Sequence, residues 1–355
     1  MKKDVGSIFP LDDDVLKQAD SEQVQYAGDR LYYSLCREAL FDIAIALKKA
    51  GSTVLLPAYT CQTVIDPFEE AGWQCEYYSI DINLRIRSDS LICLFDKYHP
   101  SLIVVHPFFG MDLNDEEIKT LTTLNEKGVK IIVDLTQCLF STRDYSFASF
   151  IVASYRKWMP IPDGGYMRIL SDTIKVAQPE TENSDFTDME QAAMYLRGLY
   201  FRNREQRTKD ISIRLSKMAD RIAESRIVPH KMSKVAYNLM MKENLELIQK
   251  IRLENYSFLY KNIRESAMIA KVCRNYNDVT SAPLYFTIYV QDRSVLQRRL
   301  AQDAVYAPVI WPVEDERVLI DEGVKYIYDH LLAIPCDQRF NLMDLQRAVD
   351  IINAY

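Results

Sequence analysis

The chain has no Cys-x-x-Cys pair, no long apolar run and no excess of positive charge, and each lack removes a class of function. Its seven cysteines (Cys36, Cys61, Cys75, Cys93, Cys138, Cys273, Cys336) are scattered and odd in number, which argues against a disulfide framework or a structural zinc site. No stretch approaches the roughly 18 apolar residues of a membrane span. The first ten residues carry two lysines but no apolar signal-peptide core. A reducing cytoplasm is therefore the expected compartment. The net charge of −7 leaves no electrostatic case for a nucleic-acid or anionic-membrane partner. Basic residues do gather between Arg197 and Arg214, and read as a solvated or interface helix face. Glycine is scarce, ten in 355 residues, so the adjacent pair Gly164-Gly165 marks a place where backbone passes close to something.

What is present is an ordinary globular composition, 48% hydrophobic and 26% charged, long enough for a large core and two domains. Strand-like and helix-like segments alternate through the first half. Residues 34–50 have helical apolar spacing and stop at Gly51. Short apolar strands are expected at 54–56, 74–79, 102–105, 130–133 and 150–152, with helices at 62–71 and 115–127 between them. Asn114 is placed to cap the second of these helices, while Pro67 falls inside the first. This alternation, at intervals of roughly 25–35 residues, predicts an α/β fold with a mainly parallel sheet of the seven-stranded type flanked by helices. Residues 187–266 read as mostly helical. Beyond them, 283–290 and 306–311 are strand-like, and 294–302 and 343–353 helical. The expected division is a large domain over 1–230 and, over 231–355, a long helix with a small α/β domain.

In parallel sheets, ligands bind beyond the carboxyl ends of strands, and Pro57, His106, Asp134 and Ser154 all stand at such ends. Asp134 and Gln137 share one face at i, i+3, and Ser154 and Lys157 repeat that spacing one strand later. A lysine, an aspartate and an amide converging on one sheet edge are what a pyridoxal-phosphate site requires. The lysine amine would bond the cofactor aldehyde. The aspartate would keep the pyridine nitrogen protonated, so that the ring withdraws electrons. The glutamine would hold the ring oxygen and the serine hydroxyl the phosphate. Ser154-x-x-Lys157 also suits an acylatable serine, but that chemistry needs Lys-Thr-Gly and Ser-Asp-Asn partners, and neither triplet occurs.

The chain resembles a divergent member of the DegT/StrS sugar aminotransferases, pyridoxal-phosphate enzymes of fold type I. Residues 34–40 (SLCREAL) resemble the family segment whose helix N-terminus receives the phosphate, which implies Cys36 and Arg37 as phosphate-binding positions. Residues 56–61 (LPAYTC) resemble its Pro-Ala-x-Thr strand end and 105–110 (VHPFFG) its His-x-x-Gly turn, with one extra residue. Asp134 and Gln137 match its Asp-x-x-Gln, and Lys157 with Gly164-Gly165 matches its lysine and Gly-Gly. Residues 310–312 and 332–335 echo its C-terminal signatures. Cys36 stands where the family commonly has glycine, and Cys61 near where an aromatic residue stacks on the cofactor, which leaves Tyr59, His106 or Phe108 for that role. The serine precedes the lysine by three residues rather than the family's five. The resemblance implies a homodimer with glutamate as amino donor and a nucleotide-linked keto-sugar as acceptor, serving surface polysaccharide or glycan assembly. Asn203 is the candidate for the asparagine that a partner subunit contributes. Two alternatives are a pyridoxal-phosphate enzyme for another small carbonyl or amino-acid substrate, and a binding protein that kept the fold.

Overall fold

Residues 54–56, 102–105 and 131–133 are fully buried, as strands covered on both faces by helices must be. The computed structural model describes residues 3–12, 26, 28–49 and 51–355. Seven strands form the larger sheet: β1 (Arg30–Tyr33), β2 (Thr53–Pro57), β3 (Gln74–Tyr78), β4 (Leu102–Val105), β5 (Lys130–Asp134), β6 (Phe150–Ser154) and β7 (Gly165–Ile169). Their order is β1-β7-β6-β5-β4-β2-β3. The five strands from β3 to β6 in that order are parallel, and β7 and β1 are antiparallel to their neighbours. The mainly parallel seven-stranded sheet expected from the sequence is therefore present.

Four helices alternate with these strands: α1 (Cys36–Leu47), α2 (Gln62–Glu70), α3 (Ser88–Tyr98) and α4 (Asp115–Glu126). Asn114 caps α4 as expected, its side chain accepting from the Glu117 amide while Glu117 bonds back to Asn114. Ala50, the last residue of the first expected helix, lies outside the described residues, as do Met1 and most of 13–27. Helices α5 (Ser184–Asn203) and α6 (Gln206–Ala223) then pack as a hairpin, followed by α7 (Lys234–Lys242) and α8 (Leu245–Asn262).

A second sheet, ordered β10-β9-β8, joins β8 (Ile269–Lys271), β9 (Tyr285–Val290) and β10 (Leu331–Pro335) antiparallel. Helices α8, α9 (Arg293–Gln302) and α11 (Leu342–Asn353) cover it, and α10 (Glu322–His330) leads into β10. Its core is separate from that of the large sheet. Two placements differ from the expected division. Val5 packs with the second core, bridged to Val305. The buried face of α7 (Ala236, Tyr237, Leu239, Met240) joins the first core instead. Residues 306–311, expected as a strand, form none. Pro308 and Pro312 have no N–H to give to a ladder, and the Pro308 carbonyl serves only to accept from the Ala333 amide at 3.1 Å. Among the described residues, no helix is long and apolar enough to cross a membrane.

Candidate active site

Lys157 ends a short 3-10 turn (Tyr155–Lys157) that follows β6 directly. The turn hangs from one carbonyl: Gly164 O accepts from the Tyr155 amide at 2.9 Å and the Arg156 amide at 3.3 Å. Gly164 adopts φ of +138°, open to glycine and strained for other residues. Gly165 has a different constraint. A Cβ there would stand 2.6 Å from the Cys36 amide nitrogen, so β7 meets the start of α1 without a side chain between them. The Gly-Gly pair thus brings Lys157 and the helix start to one place.

That place is a cavity of about 290 Å³. It collects Cys36, Arg37, Cys61, His106, Asp134, Gln137, Ser154 and Lys157, eight of the nine residues expected from the sequence. Tyr59 is the exception. It is fully buried behind the cavity, donates its hydroxyl hydrogen to the Ile310 carbonyl and packs against Phe108, Trp311 and Tyr328. Phe108 is buried in the same cluster and does not line the cavity either.

Asp134 closes β5 and is 6% exposed. Its Oδ1 accepts from the Thr136 amide at 2.8 Å, which fixes the turn, and its Oδ2 lies 3.6 Å from His106 Nδ1. His106 is itself buried, with Nε2 2.8 Å from the Thr60 hydroxyl. Burial pushes its pKa down, Asp134 opposes that, and the Lys157 charge adds to it, so the ring is neutral at pH 7. The Gln137 oxygen accepts from the Phe109 amide at 3.2 Å, which leaves the NH₂ as its remaining donor. Lys157 is exposed to the cavity, and among the described residues no hydrogen bond or ion pair holds its amine.

At the opposite wall, α1 starts with Leu35 as its N-cap, and no side chain caps it. Its first turn lines one end of the cavity, where the helix carries partial positive charge, and the Glu38 carboxylate of that turn accepts from the Leu35 amide at 3.4 Å. Arg37 is less available than its position suggests: its guanidinium is bonded to Asp66 at 2.7 Å and to the Ala223 carbonyl. Burial, with the Asp134 charge next, raises the Cys36 thiol well above its usual range, so it lines the site as a neutral group. Other lining residues had no assigned role from the sequence, among them Thr136, Trp311 and Arg156 and the carboxylates Asp220 and Glu224. Thr136 accepts from the Ser154 amide at 3.2 Å and points its hydroxyl toward Cys36 Sγ. Trp311 reaches in from the long segment after β9, its ring 6.2 Å from His106. Arg156 stands beside Lys157. Thr136 was findable as the residue whose amide an Asp turn needs; Trp311 was marked only as part of the 310–312 echo, without a role.

Behind the Gly-Gly pair, Asp163 is fully buried and accepts from the Ser233 hydroxyl at 2.6 Å and the Ser233 amide at 2.9 Å. Burial raises its pKa from 3.8 to about 7. The folded chain therefore binds this proton more tightly than the unfolded chain, and stability falls as pH rises from about 4 to about 7. Asp163→Asn keeps both contacts without the proton. Its stability relative to the natural chain is expected to grow by up to about 1.4 kcal/mol per pH unit across that window. Urea unfolding at pH 5, 6, 7 and 8 checks this, and parallel curves for the two proteins would refute it.

No protein-family model matches the chain, and no curated protein matches it in sequence. Solved structures do match in fold. Helicobacter pylori PseC, an aminotransferase involved in the biosynthesis of pseudoaminic acid, superposes with a TM-score of 0.68 over 99% of this chain and 98% of that one, at 12% identity. The sugar aminotransferase CalS13 from Micromonospora echinospora gives 0.67 over all of both chains at 13% identity. NtdA from Bacillus subtilis, solved with bound cofactor PMP, gives 0.64 over 97% of this chain and 77% of that one, at 15% identity. The fold is that of the sugar aminotransferases. The lysine-bearing cavity lies at the carboxyl edge of the parallel strands, where β2, β4, β5 and β6 end.

Proposed function

We propose that the chain is a pyridoxal-phosphate-dependent aminotransferase that passes an amino group from glutamate to a nucleotide-linked keto-sugar, in surface polysaccharide or glycan assembly. One observation carries the reading: an unbonded lysine amine and a buried carboxylate stand at adjacent strand ends in a single cavity. The remaining lining fits the cofactor. The uncapped start of α1 and the Ser154 hydroxyl suit a phosphate. The Asp134 carboxylate suits a protonated ring nitrogen, and the free NH₂ of Gln137 suits a ring oxygen.

When bound, the cofactor supplies an electron sink for the bond being broken at the substrate carbon. The protein's own residues do the rest. The Lys157 amine would hold the cofactor and, when free, would move a proton between the two carbons as base and then acid. Asp134, itself buried, would pair with the ring nitrogen and favour its protonated form. Neutral His106 and the Trp311 ring offer flat apolar surface on the same side of the cavity. His106 takes no proton in this scheme, because burial disfavours its charged form.

A second cavity, of about 720 Å³, also reaches Lys157. Arg156, Lys157, Arg252, Arg298 and Arg339 line it against the single carboxylate of Asp337. That imbalance supports an acceptor bearing negative charge, as a nucleotide diphosphate does. The reading includes a homodimer in a reducing cytoplasm, with Asn203, at the end of α5, as the residue offered to the partner's site.

The test is spectroscopic. Purified protein given pyridoxal phosphate should develop the visible absorption of the lysine-bound cofactor, and glutamate should bleach it. Nucleotide-linked keto-sugars, and not 2-oxo acids other than 2-oxoglutarate (the product of glutamate, which must reverse the bleaching), should then restore the colour. A protein that stays colourless and takes up no cofactor overturns the reading; colour restored by such other 2-oxo acids and not by the sugars overturns the sugar acceptor.

A further inference from the structure

The residue after Lys157 joins parts of the molecule that are far apart in sequence. Trp158 is fully buried, and its indole N–H donates to the Thr136 carbonyl at 2.8 Å, tying it to the Asp134–Gln137 turn. Its carbonyl faces the other way. It accepts from Gln338 Nε2 at 2.7 Å and from Arg252 Nη2 at 3.4 Å.

Neither donor belongs to the large sheet. Gln338 follows β10 of the second sheet, and Arg252 lies on α8. Arg252 is 1% exposed and, among the described residues, makes no close ion pair. Its Nε donates to Gln338 Oε1 at 2.9 Å and its Nη1 to the carbonyls of Pro283 and Leu284, at 3.3 and 3.2 Å, just before β9. Its guanidinium also lies 4.5 Å from the centre of the Trp158 ring. A cation buried at this cost is kept where its geometry is needed, and here it orients Gln338 toward a single carbonyl.

Lys157 lines both cavities, the smaller one with Asp134 and the larger, cation-rich one. Its turn is only three residues long, and the Ser154 side chain does not cap it. The two ends of the lysine's segment are thus held separately: Gly164 holds the amides before it, and Gln338 holds the carbonyl after it. We propose that Gln338, oriented by Arg252, is a positioning residue that keeps the Lys157 amine in the Asp134 cavity and transmits the seating of the second sheet to it. This rests on Lys157 being the cofactor lysine.

Gln338→Glu separates this role from simple packing. The carboxylate still accepts from Arg252, and more strongly. It cannot donate to the Trp158 carbonyl and sets an oxygen against it. Gln338→Ala removes both contacts and serves as the second variant. Two readouts apply: hydrogen exchange of the peptide spanning 155–160 in cofactor-free protein, and borohydride trapping of added pyridoxal phosphate on Lys157, located by peptide mass spectrometry. With one buried hydrogen bond lost, exchange should quicken and trapping slow by about tenfold in both variants, and Gln338→Glu should melt no earlier than the natural chain. Natural rates of exchange and trapping in Gln338→Glu would overturn the proposal. If the natural protein traps no cofactor at Lys157, the functional reading fails by itself. The exchange arm still decides the clasp: unchanged exchange at 155–160 overturns it.

Discussion

Lys157→Ala is expected to abolish covalent capture of pyridoxal phosphate and to lower transamination by at least about 10⁴-fold. Two losses combine. The anchoring amine is gone, and with it the amine that would take a proton from one carbon and return it to another. His106 cannot substitute, because it is buried, held by Thr60 and kept neutral. Stability should change by no more than about 0.5 kcal/mol, since the lysine is exposed and, among the described residues, bonded to nothing. Absorption spectra and single-turnover rates check the first part and thermal melts the second. A small amine added to the mutant should restore part of the rate by standing in the vacated space. A mutant that still binds the cofactor covalently would remove Lys157 from its role.

Asp134→Asn should cost about a hundredfold to a thousandfold in kcat/KM while leaving the fold intact. The amide oxygen can still accept from the Thr136 N–H, so the turn keeps its shape. What disappears is the charge. A protonated ring nitrogen buried beside a neutral amide loses a partner worth about 3–5 kcal/mol, and each 1.4 kcal/mol is tenfold in rate. The same change removes the one interaction that raises the His106 pKa against its burial, so that ring becomes still harder to protonate. Steady-state kinetics beside a melting curve decide it. Equal losses of activity and stability would mean that Asp134 serves the turn alone.

The two residues were visible in the sequence for a physical reason. Asp134 and Gln137, like Ser154 and Lys157, sit three apart at the end of an apolar run, and such spacing is local. A strand end followed by a single turn places i and i+3 on one side whatever the rest of the chain does. The parallel sheet was legible in the same way, through buried runs such as residues 102–105 and 131–133 separated by helices with caps and stops. Strand β1 and strand β7 were not. They pair antiparallel at one edge, and their buried residues run together at one end of each strand with no alternation to mark them.

Where each side chain ended was decided elsewhere. Arg37 looked like a phosphate ligand from its place at a helix start, but Asp66 on α2 and a carbonyl at the end of α6 claim its guanidinium. Tyr59 looked like a ring partner for the cofactor. Its hydroxyl found the Ile310 carbonyl, some 250 residues on, and the ring turned away from the cavity. Trp311, marked in the sequence only within the 310–312 echo, took a place in the lining that its own segment does not specify.

Sequence alone determined the chemistry on offer at the sheet edge: a lysine, a carboxylate, an amide and a hydroxyl, each tied to a strand by local geometry. Only the tertiary structure decided which partners compete for those groups, and how the lysine turn is gripped from the second sheet through Gln338 and Arg252. The difference is one of range. Backbone spacing acts over a few residues, whereas burial, pairing and hydrogen bonding are settled between segments that meet only when the chain has folded.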